Sequence, residues 1–503
     1  MKLVMEQINK LFAKLSDLRF DTSIPIYAVS FLLTIYASYI VWLIWFHPLS
    51  HIPGPKIAIV SNLFYSRTIV SGHSPRIVKS LHDKYGDVVR WGPNEVSFAC
   101  KEAWKDIYDR RKDGKILIKD PLFYRTDDTI RAKHIVNTHD PAEHAEMRKM
   151  MAYAFSAKAL LEQEHLIKHY ADDLVEAVRE KGDLGPINLV EFFNWTTFDV
   201  LGELAFGEPF NSLKNRKTDS WISIILDSIK FNAWDVAIWK LPIVPYFQYW
   251  LTPKHIREGG IRHAIESKEK ILKRAEKGSD RIDFVSYILA KREELKINDW
   301  QLAAHSNALI VAGSETSATV LSGLHYYLLK NPAAYDRLRT EVRSAFSSVD
   351  EINAKAAEKL PYLTACIDET FRIYPPIPIA MPRVTPKGGC TIAGHFIPEN
   401  TTVGVHQWSV THNPKHFKDP DSYRPERWLE KSDDLDASKP FLTGPRMCMG
   451  INMAWIEVRI LMAKLTYMFD FEIVDESLDW YDQECYTLWQ KPDLFVKATP
   501  ARR

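Results

Sequence analysis

The longest uninterrupted apolar run lies near the N-terminus. From Ile24 to Phe46 no side chain carries a charge, and Ile, Leu, Val, Tyr and Trp dominate. A helix of that length crosses a bilayer, with Trp42 and Trp45 at one interface. Ahead of it Val4, Ile8, Leu11, Phe12, Leu15 and Leu18 recur at helical spacing, with Lys10, Lys14 and Asp17 between them. That predicts a short amphipathic helix on a membrane surface. The length of the run, and the lack of a small-residue cleavage site after it, argue against a cleaved signal peptide. His51-Ile52-Pro53-Gly54-Pro55 then stops any helix. The chain divides into an amphipathic segment (1–22), a transmembrane anchor (23–46), a proline-rich hinge (47–56) and a body (57–503).

Within the body helical periodicity prevails. Ile77 to Tyr85, a run through His144 to about Ala152, and residues 160–230 read as helix. Asp87 to Phe98 alternates around Gly92-Pro93-Asn94, and Cys390 to Val403 alternates around Ala393-Gly394, both hairpin patterns. Residues 110–140 show little periodicity and read as loop. Trp234 to Trp250 is aromatic and broken by Pro242 and Pro245. Asn298 with Gln301 marks a helix start, and the apolar pattern then continues to about Leu329. The fold class is mainly α with a small β region, behind one N-terminal transmembrane helix.

Composition narrows this little: 503 residues, 46% apolar, 26% charged. A net charge of +1 gives no reason for a nucleic-acid partner. Cys100, Cys366, Cys390, Cys448 and Cys485 are scattered and odd in number, which argues against a disulfide framework or a structural zinc site. Lysines and arginines flank the apolar run on both sides, so charge barely decides its orientation.

The chemistry concentrates late in the chain. Phe441-Leu442-Thr443-Gly444-Pro445-Arg446-Met447-Cys448-Met449-Gly450 leads into an apolar helical pattern. Glycines there admit a large flat ligand, and a following helix N-terminus with Arg446 nearby favours a Cys448 thiolate, as a metal requires. Ala312-Gly313-Ser314-Glu315-Thr316 places poor helix formers in mid-helix, either as a tolerated bend or as a local opening. Glu369 and Arg372 lie at i, i+3, and His144 and Arg148 share a helix face at i, i+4. Taken alone, such pairs are usually solvated surface.

The frame Phe-x-x-Gly-x-Arg-x-Cys-x-Gly resembles the haem-thiolate loop of the cytochrome P-450 monooxygenases. Ala-Gly-x-Glu-Thr resembles that family's oxygen groove, and Glu369-x-x-Arg372 its buried pair. The resemblance implies the cytochrome P-450 fold, with haem b held by Cys448 as axial iron ligand. It implies that Phe441 packs near the sulfur, that Arg446 faces a propionate, and that Gly444 and Gly450 allow close approach. Arg148, His144 (where the family commonly has Trp) and Arg383 are further propionate contacts. Glu315 and Thr316 would deliver protons and Gly313 would leave room for O₂. Glu369, Arg372 and Arg427 would form a structural network. Ile377 to Pro382 and Thr487-Leu488-Trp489 would wall the pocket, and residues 234–250 would form a lid dipping into the membrane.

The implied reaction inserts one atom of O₂ into an apolar small molecule. Electrons would come from NADPH through a separate NADPH-cytochrome P-450 reductase, with cytochrome b5 as a second donor. Arg148, Lys149, Arg459 and Lys464 are the expected docking cations. The implied location is the endoplasmic reticulum membrane, single-pass, with the catalytic domain cytosolic and the sequons at Asn194 and Asn400 unmodified. The hinge, His144 and Tyr423-Arg424-Pro425-Glu426-Arg427-Trp428 look like filamentous-fungal members that act in secondary-metabolite pathways, mycotoxins included. The alternatives are a haem-thiolate isomerase or dehydratase, against which the Glu315-Thr316 pair argues, and a non-catalytic haem- or sterol-binding membrane protein.

Overall fold

A computed structural model describes residues 23–125, 132–247, 250, 254–276 and 283–502. The expected amphipathic segment 1–22 lies outside the described residues. The chain forms two units, Met1–His51 and Ile52–Arg503.

In the first unit a helix α1, Ser23–Val41, continues as a π-helical turn, Trp42–Phe46, closed by the His47 N–H on the Trp42 carbonyl. Its window Val29–Phe46 is long and apolar enough to cross a membrane. Tyr27, Phe31, Leu32 and Leu33 are all more than three-fifths exposed, at 72, 66, 64 and 62%. By length and apolarity the helix is a candidate membrane span.

The second unit begins inside the proline-rich hinge segment, 47–56. The Arg90 N–H donates to the Pro53 carbonyl at 2.8 Å, and a Cβ on Gly54 would overlap the Arg90 carbonyl oxygen. From Ile52 onwards the proline-rich stretch is therefore packed against the body.

The β region is small. Strands β1 (Val88–Gly92), β2 (Glu95–Phe98), β3 (Ile118–Lys119), β5 (Arg383–Val384) and β8 (Thr402–Val405) form a sheet in the order β1-β2-β8-β5-β3. The β1–β2 hairpin carries a bulge at Arg90/Gly92, and β2 and β8 run parallel. β4 is Ile187–Asn188. The expected second hairpin is shorter than its pattern: β6 (Cys390–Ile392) pairs with β7 (His395–Ile397), while β8 crosses to the main sheet. Short strands also follow residue 468.

Helices make up most of the rest. Those that shape the site are α2 (Leu63–Val70), α3 (Pro141–Met151), α4 (Leu189–Phe206), α5 (Ser220–Trp239), α6 (Asp299–Lys330), α7 (Pro361–Ile373) and α8 (Ile451–Met468). α6 has 32 residues, or about 48 Å at the helical rise. Asn298 and Gln301 close a reciprocal capping box at its start. Its apolar positions pack along α4, whose Phe193, Phe198 and Leu201 are fully buried. A Cβ on Gly313 would lie 3.0 Å from Leu201 Cδ1, so this glycine lets α4 approach closely. The run around Gly313 does not interrupt the helix.

Candidate functional site

The Cys448 loop is a tight turn. The Cys448 N–H donates to the Phe441 carbonyl at 2.9 Å, and the Met447 N–H to the Gly444 carbonyl at 3.1 Å. Gly444 has φ +75°, and a Cβ there would overlap the Tyr108 carbonyl oxygen. Its demand for glycine thus comes from the neighbouring chain at Tyr108–Asp109, whereas close approach to a ligand was expected. Gly450 precedes α8, and a Cβ there would meet only Cys448 Sγ, at 3.8 Å. Phe441 packs edge-on against Phe371 of α7, ring centres 5.0 Å apart.

Cys448 opens onto a cavity of about 1920 Å³. Ordinary ligand pockets hold ~300–1,000 Å³. Gly313 and Thr316 of α6 line the same cavity, as do Phe441, Arg446, His144, Arg148 and Arg383. Burial raises the thiol pKa of Cys448, opposed by the Gly450 N–H and then by Arg148. Two corrections follow. At this sulfur, which faces the open cavity, desolvation by the surrounding protein outweighs the Gly450 N–H and Arg148. The cation acting on the sulfur is Arg148; Arg446 donates elsewhere, to the Thr138 and His139 carbonyls at 2.7 Å each.

At one end of the cavity cations crowd together. Arg383, 2% exposed, donates to the Tyr124 hydroxyl and to the Met381 and Pro382 carbonyls. Lys119, which was not anticipated, donates to the Ile135 and Val136 carbonyls. Burial, then Arg446 and Arg383, push Lys119 down to about 6. Burial and Arg383 push Arg446 down to about 10. Burial, Arg446 and Lys119 push His144 down to about 3, leaving a neutral imidazole. The nearest acids are committed: Asp120 accepts from Thr402 and pairs with Lys240, and Asp140 caps α3. Buried cations that suppress one another fit a ligand bearing carboxylates. With a sulfur on the wall and room for a large planar group, the residues present fit haem.

On the cavity wall, Thr316 donates to the Ala312 carbonyl at 2.7 Å. Glu315 does not line the cavity. Its carboxylate is ion-paired with Lys491, both nearly fully buried, and Lys491 also donates to Thr319. Glu457 of α8, also missed, does line it and is 0% exposed. The signal in the sequence was a lone acid inside an apolar helical stripe, between Met453 and Leu461.

Beneath the loop, Glu369 accepts from Arg372 at 2.9 and 2.8 Å and from Arg427 at 3.1 Å, and the three side chains are 0% exposed. Trp428 Nε1 also donates to Glu369, at 2.9 Å. Two expected docking cations are not free: Lys464 is 1% exposed and paired with Asp172, and Arg459 stacks on Trp455. Lys149 is exposed, and Arg148 donates to the Met447 carbonyl. The aromatic segment is mostly helical: α5 runs to Trp239, whose ring is covered by Arg125 at 3.5 Å. Pro245 and Tyr246 line the cavity.

A mostly helical body enclosing this cavity is the architecture of a haem-containing oxidoreductase. The chain belongs to the cytochrome P450 family, whose sequence profile, Cytochrome P450, matches residues 52–496. It is 37% identical over 470 residues to the Cytochrome P450 monooxygenase astJ of Aspergillus oryzae, covering 92% of this chain and 94% of that protein. It is 40% identical over 439 residues to the Cytochrome P450 monooxygenase ORF11 of Penicillium roqueforti, covering 86% and 91%. It is 38% identical over 476 residues to the Trichothecene C-4 hydroxylase of Trichoderma arundinaceum, covering 91% and 93%.

Proposed function

We propose that this chain is a membrane-anchored monooxygenase whose haem iron is held by Cys448 and which hydroxylates an apolar small molecule of fungal secondary metabolism. The observation that carries it is one cavity lined by the Cys448 sulfur, by the mutually suppressing cations Lys119, Arg383 and Arg446, and by Gly313 and Thr316 of α6. Bound haem b supplies oxygen activation, so that one atom of O₂ enters the substrate and the other leaves as water.

The chain's own residues do the rest. Cys448 Sγ would hold the iron. Arg383, Arg446 and Arg148 hold the propionates by charge, and His144 by a neutral N–H. Gly313, on the cavity wall and packed against Leu201 of α4, would leave room for O₂ beside the bound group. The Thr316 hydroxyl proton, parked on the Ala312 carbonyl, is available to a better acceptor in the cavity. Glu315 supplies protons only on leaving Lys491. Glu369, Arg372 and Arg427 keep the loop's floor rigid. NADPH-cytochrome P450 reductase, with cytochrome b5 as second donor, delivers electrons on the Cys448 side near Lys149. Residues 1–46 anchor the chain in the endoplasmic reticulum membrane, 47–51 link them to the body, and the body lies in the cytosol. The name of the Trichoderma relative supports hydroxylation as the outcome.

The test is the reduced, carbon-monoxide difference spectrum of membranes holding the parent or Cys448→Ser. A strongly red-shifted Soret band is expected in the parent alone. A haem-loaded parent without that band would overturn Cys448 as the ligand.

A further inference from the structure

The charged residues that line the cavity on α5 and on the helix Lys254–Glu276 are already paired. Asp235 pairs with Arg125 at 3.4 Å, Lys230 with Glu484 at 3.5 Å, and Lys254 with Glu258 at 3.6 Å. An ionised substrate therefore meets no uncommitted counter-charge among these groups. Neutral polar groups gather where the turn at His134 meets the first half of α6. His134 lines the cavity, and its backbone is held on both sides. Its N–H donates to Asn137 Oδ1 at 2.7 Å, and its carbonyl accepts from the Thr138 hydroxyl at 2.8 Å. Lys119 pins the same turn at the Ile135 and Val136 carbonyls, and Arg446 pins it at those of Thr138 and His139. The Val136 N–H donates to His134 Nδ1 at 3.3 Å, so the neutral ring carries its hydrogen on Nε2. Among the described residues Nε2 has no partner.

His305 of α6 lies beside His134. It is 2% exposed, and its Nδ1 has no hydrogen-bond partner within bonding distance. Burial, then His305 and Lys119, push His134 down to about 3, and burial pushes His305 down to about 4. Both rings are therefore uncharged near neutrality. Asn307, on the next turn, lines the cavity with Ala304, Ala308, Val311 and Ala312. These positions recur at helical spacing and form one face of α6. Before Thr316, Asn307 is the polar residue of that face. Ring nitrogens buried without a partner are costly unless a ligand or water supplies the missing bond.

We propose that His134, His305 and Asn307 form a specificity site that holds an uncharged oxygen function of the substrate, a hydroxyl or a carbonyl. The inference rests on the monooxygenase reading of the cavity and names the class of substrate it takes. His134 Nε2–H donates to the oxygen. The Asn307 amide donates to a carbonyl or accepts from a hydroxyl. His305 backs the pair with a ring nitrogen that a bridging water satisfies. Asn307 and Thr316 are nine residues apart on α6, about 13 Å along its axis. A molecule held at Asn307 and oxidised beside Thr316 is thus an elongated apolar skeleton, with its oxygen function at the end remote from the carbon attacked.

The experiment is a spectrophotometric titration of the holoenzyme with imidazoles that carry a straight alkyl tail on one ring nitrogen. The other ring nitrogen binds the haem iron and shifts the Soret band, so every tail starts from the same point. The tails end in methyl, hydroxyl or carboxylate, each in a series of lengths. At one length the hydroxyl-ended tail should bind the parent roughly fivefold or more tighter than its methyl-ended counterpart, the yield of one buried hydrogen bond. The carboxylate-ended tail should show no such gain. His134→Phe and Asn307→Leu should each lose most of the hydroxyl preference, while keeping the red-shifted carbon-monoxide band and the affinity for the methyl-ended tail. Equal affinity of hydroxyl- and methyl-ended tails at every length overturns the proposal, as does a preference that survives both substitutions. Tightest binding by the carboxylate-ended tail overturns the uncharged class of substrate. If His134→Phe fails to load haem, a preference that survives Asn307→Leu overturns the site. The haem reading fails separately, by absence from the parent of both the carbon-monoxide band and the Soret shift with imidazole itself.

Discussion

Glu369 accepts hydrogen bonds from Arg372, Arg427 and Trp428 side chains and from the Arg424 N–H, and Arg427 is also paired with Asp433. Arg372 spends its remaining donors on the Thr411, Pro420 and Ser422 carbonyls. The carboxylate therefore ties α7 to the chain that leads into the Cys448 loop. Removing it strands two buried guanidinium groups, at a cost of about 3–5 kcal/mol. Glu369→Ala should give at least roughly tenfold less carbon-monoxide-reactive haem per unit of expressed protein, on that energy alone. Full haem incorporation in the variant would refute the network's role. At this scale the sequence is informative where a motif carries chemistry, as at Cys448, and misleading where burial decides the sign. Helix amides and a nearby cation do lower the Cys448 pKa, yet desolvation outweighs them. No pattern marks Lys119 as part of the cationic end, because its role depends on where β3 pairs with β5.

Among the elements, α5 lines the cavity through Ile229, Trp234, Asp235 and Ile238. Lys240, directly after it, is 7% exposed on its side chain and ion-paired with Glu95 of β2 and with Asp120 after β3. The Asn62 and Ser66 side chains donate to the Lys240 and Ala237 carbonyls at 2.9 Å each, so α2 holds the same end of α5. Arg125 adds a pairing with Asp235. Burial alone would lower the Lys240 pKa, but Glu95, Tyr65 and Asp120 raise it, which keeps the clasp charged. Lys240→Met leaves both carboxylates buried and unpaired, and the end of α5 should detach from the sheet. Stopped-flow release of an apolar spectral ligand should then accelerate roughly tenfold or more, since a broken buried pair is worth several kcal/mol. An unchanged release rate, with the carbon-monoxide band intact, would remove the clasp from the account of access. None of this was legible beforehand. Helix periodicity gave α6 and its capping box, and alternation gave the β1–β2 hairpin, since both are local. The strand pairing β2–β8 and the clasp join residues more than a hundred positions apart, and a single sequence carries no trace of such contacts.

At the scale of the whole molecule two apolar surfaces bear on the proposed membrane attachment. The first unit presents an apolar helix most of whose described side chains are exposed, Leu43 excepted. The body carries a second apolar surface of its own. Ile243 is 68% exposed, Tyr246 82% and Trp250 75%, and Phe247 packs on Trp250 with ring centres 6.0 Å apart. Ile57 and Leu63 are 65% and 62% exposed, and the bond from Asn62 to the Lys240 carbonyl brings their segment to the same end of the body. Contiguous exposed apolar groups of this size mark an interaction surface, and Tyr246 also lines the cavity, so an apolar compound could pass from that surface inward. Trp239, which the sequence suggested as part of the surface, lies under Arg125 and drops out. A protein lacking residues 1–46 should still float with neutral lipid vesicles in a density gradient. Ile243→Glu with Tyr246→Glu in that background should abolish most of the flotation, because each charge must be dragged from water at a cost of about 2–3 kcal/mol. The carbon-monoxide band should be unaffected, since neither residue touches the Cys448 loop. Equal flotation of the truncated protein with and without the two glutamates would confine membrane contact to the N-terminal helix, and substrate would then have to reach the cavity from water.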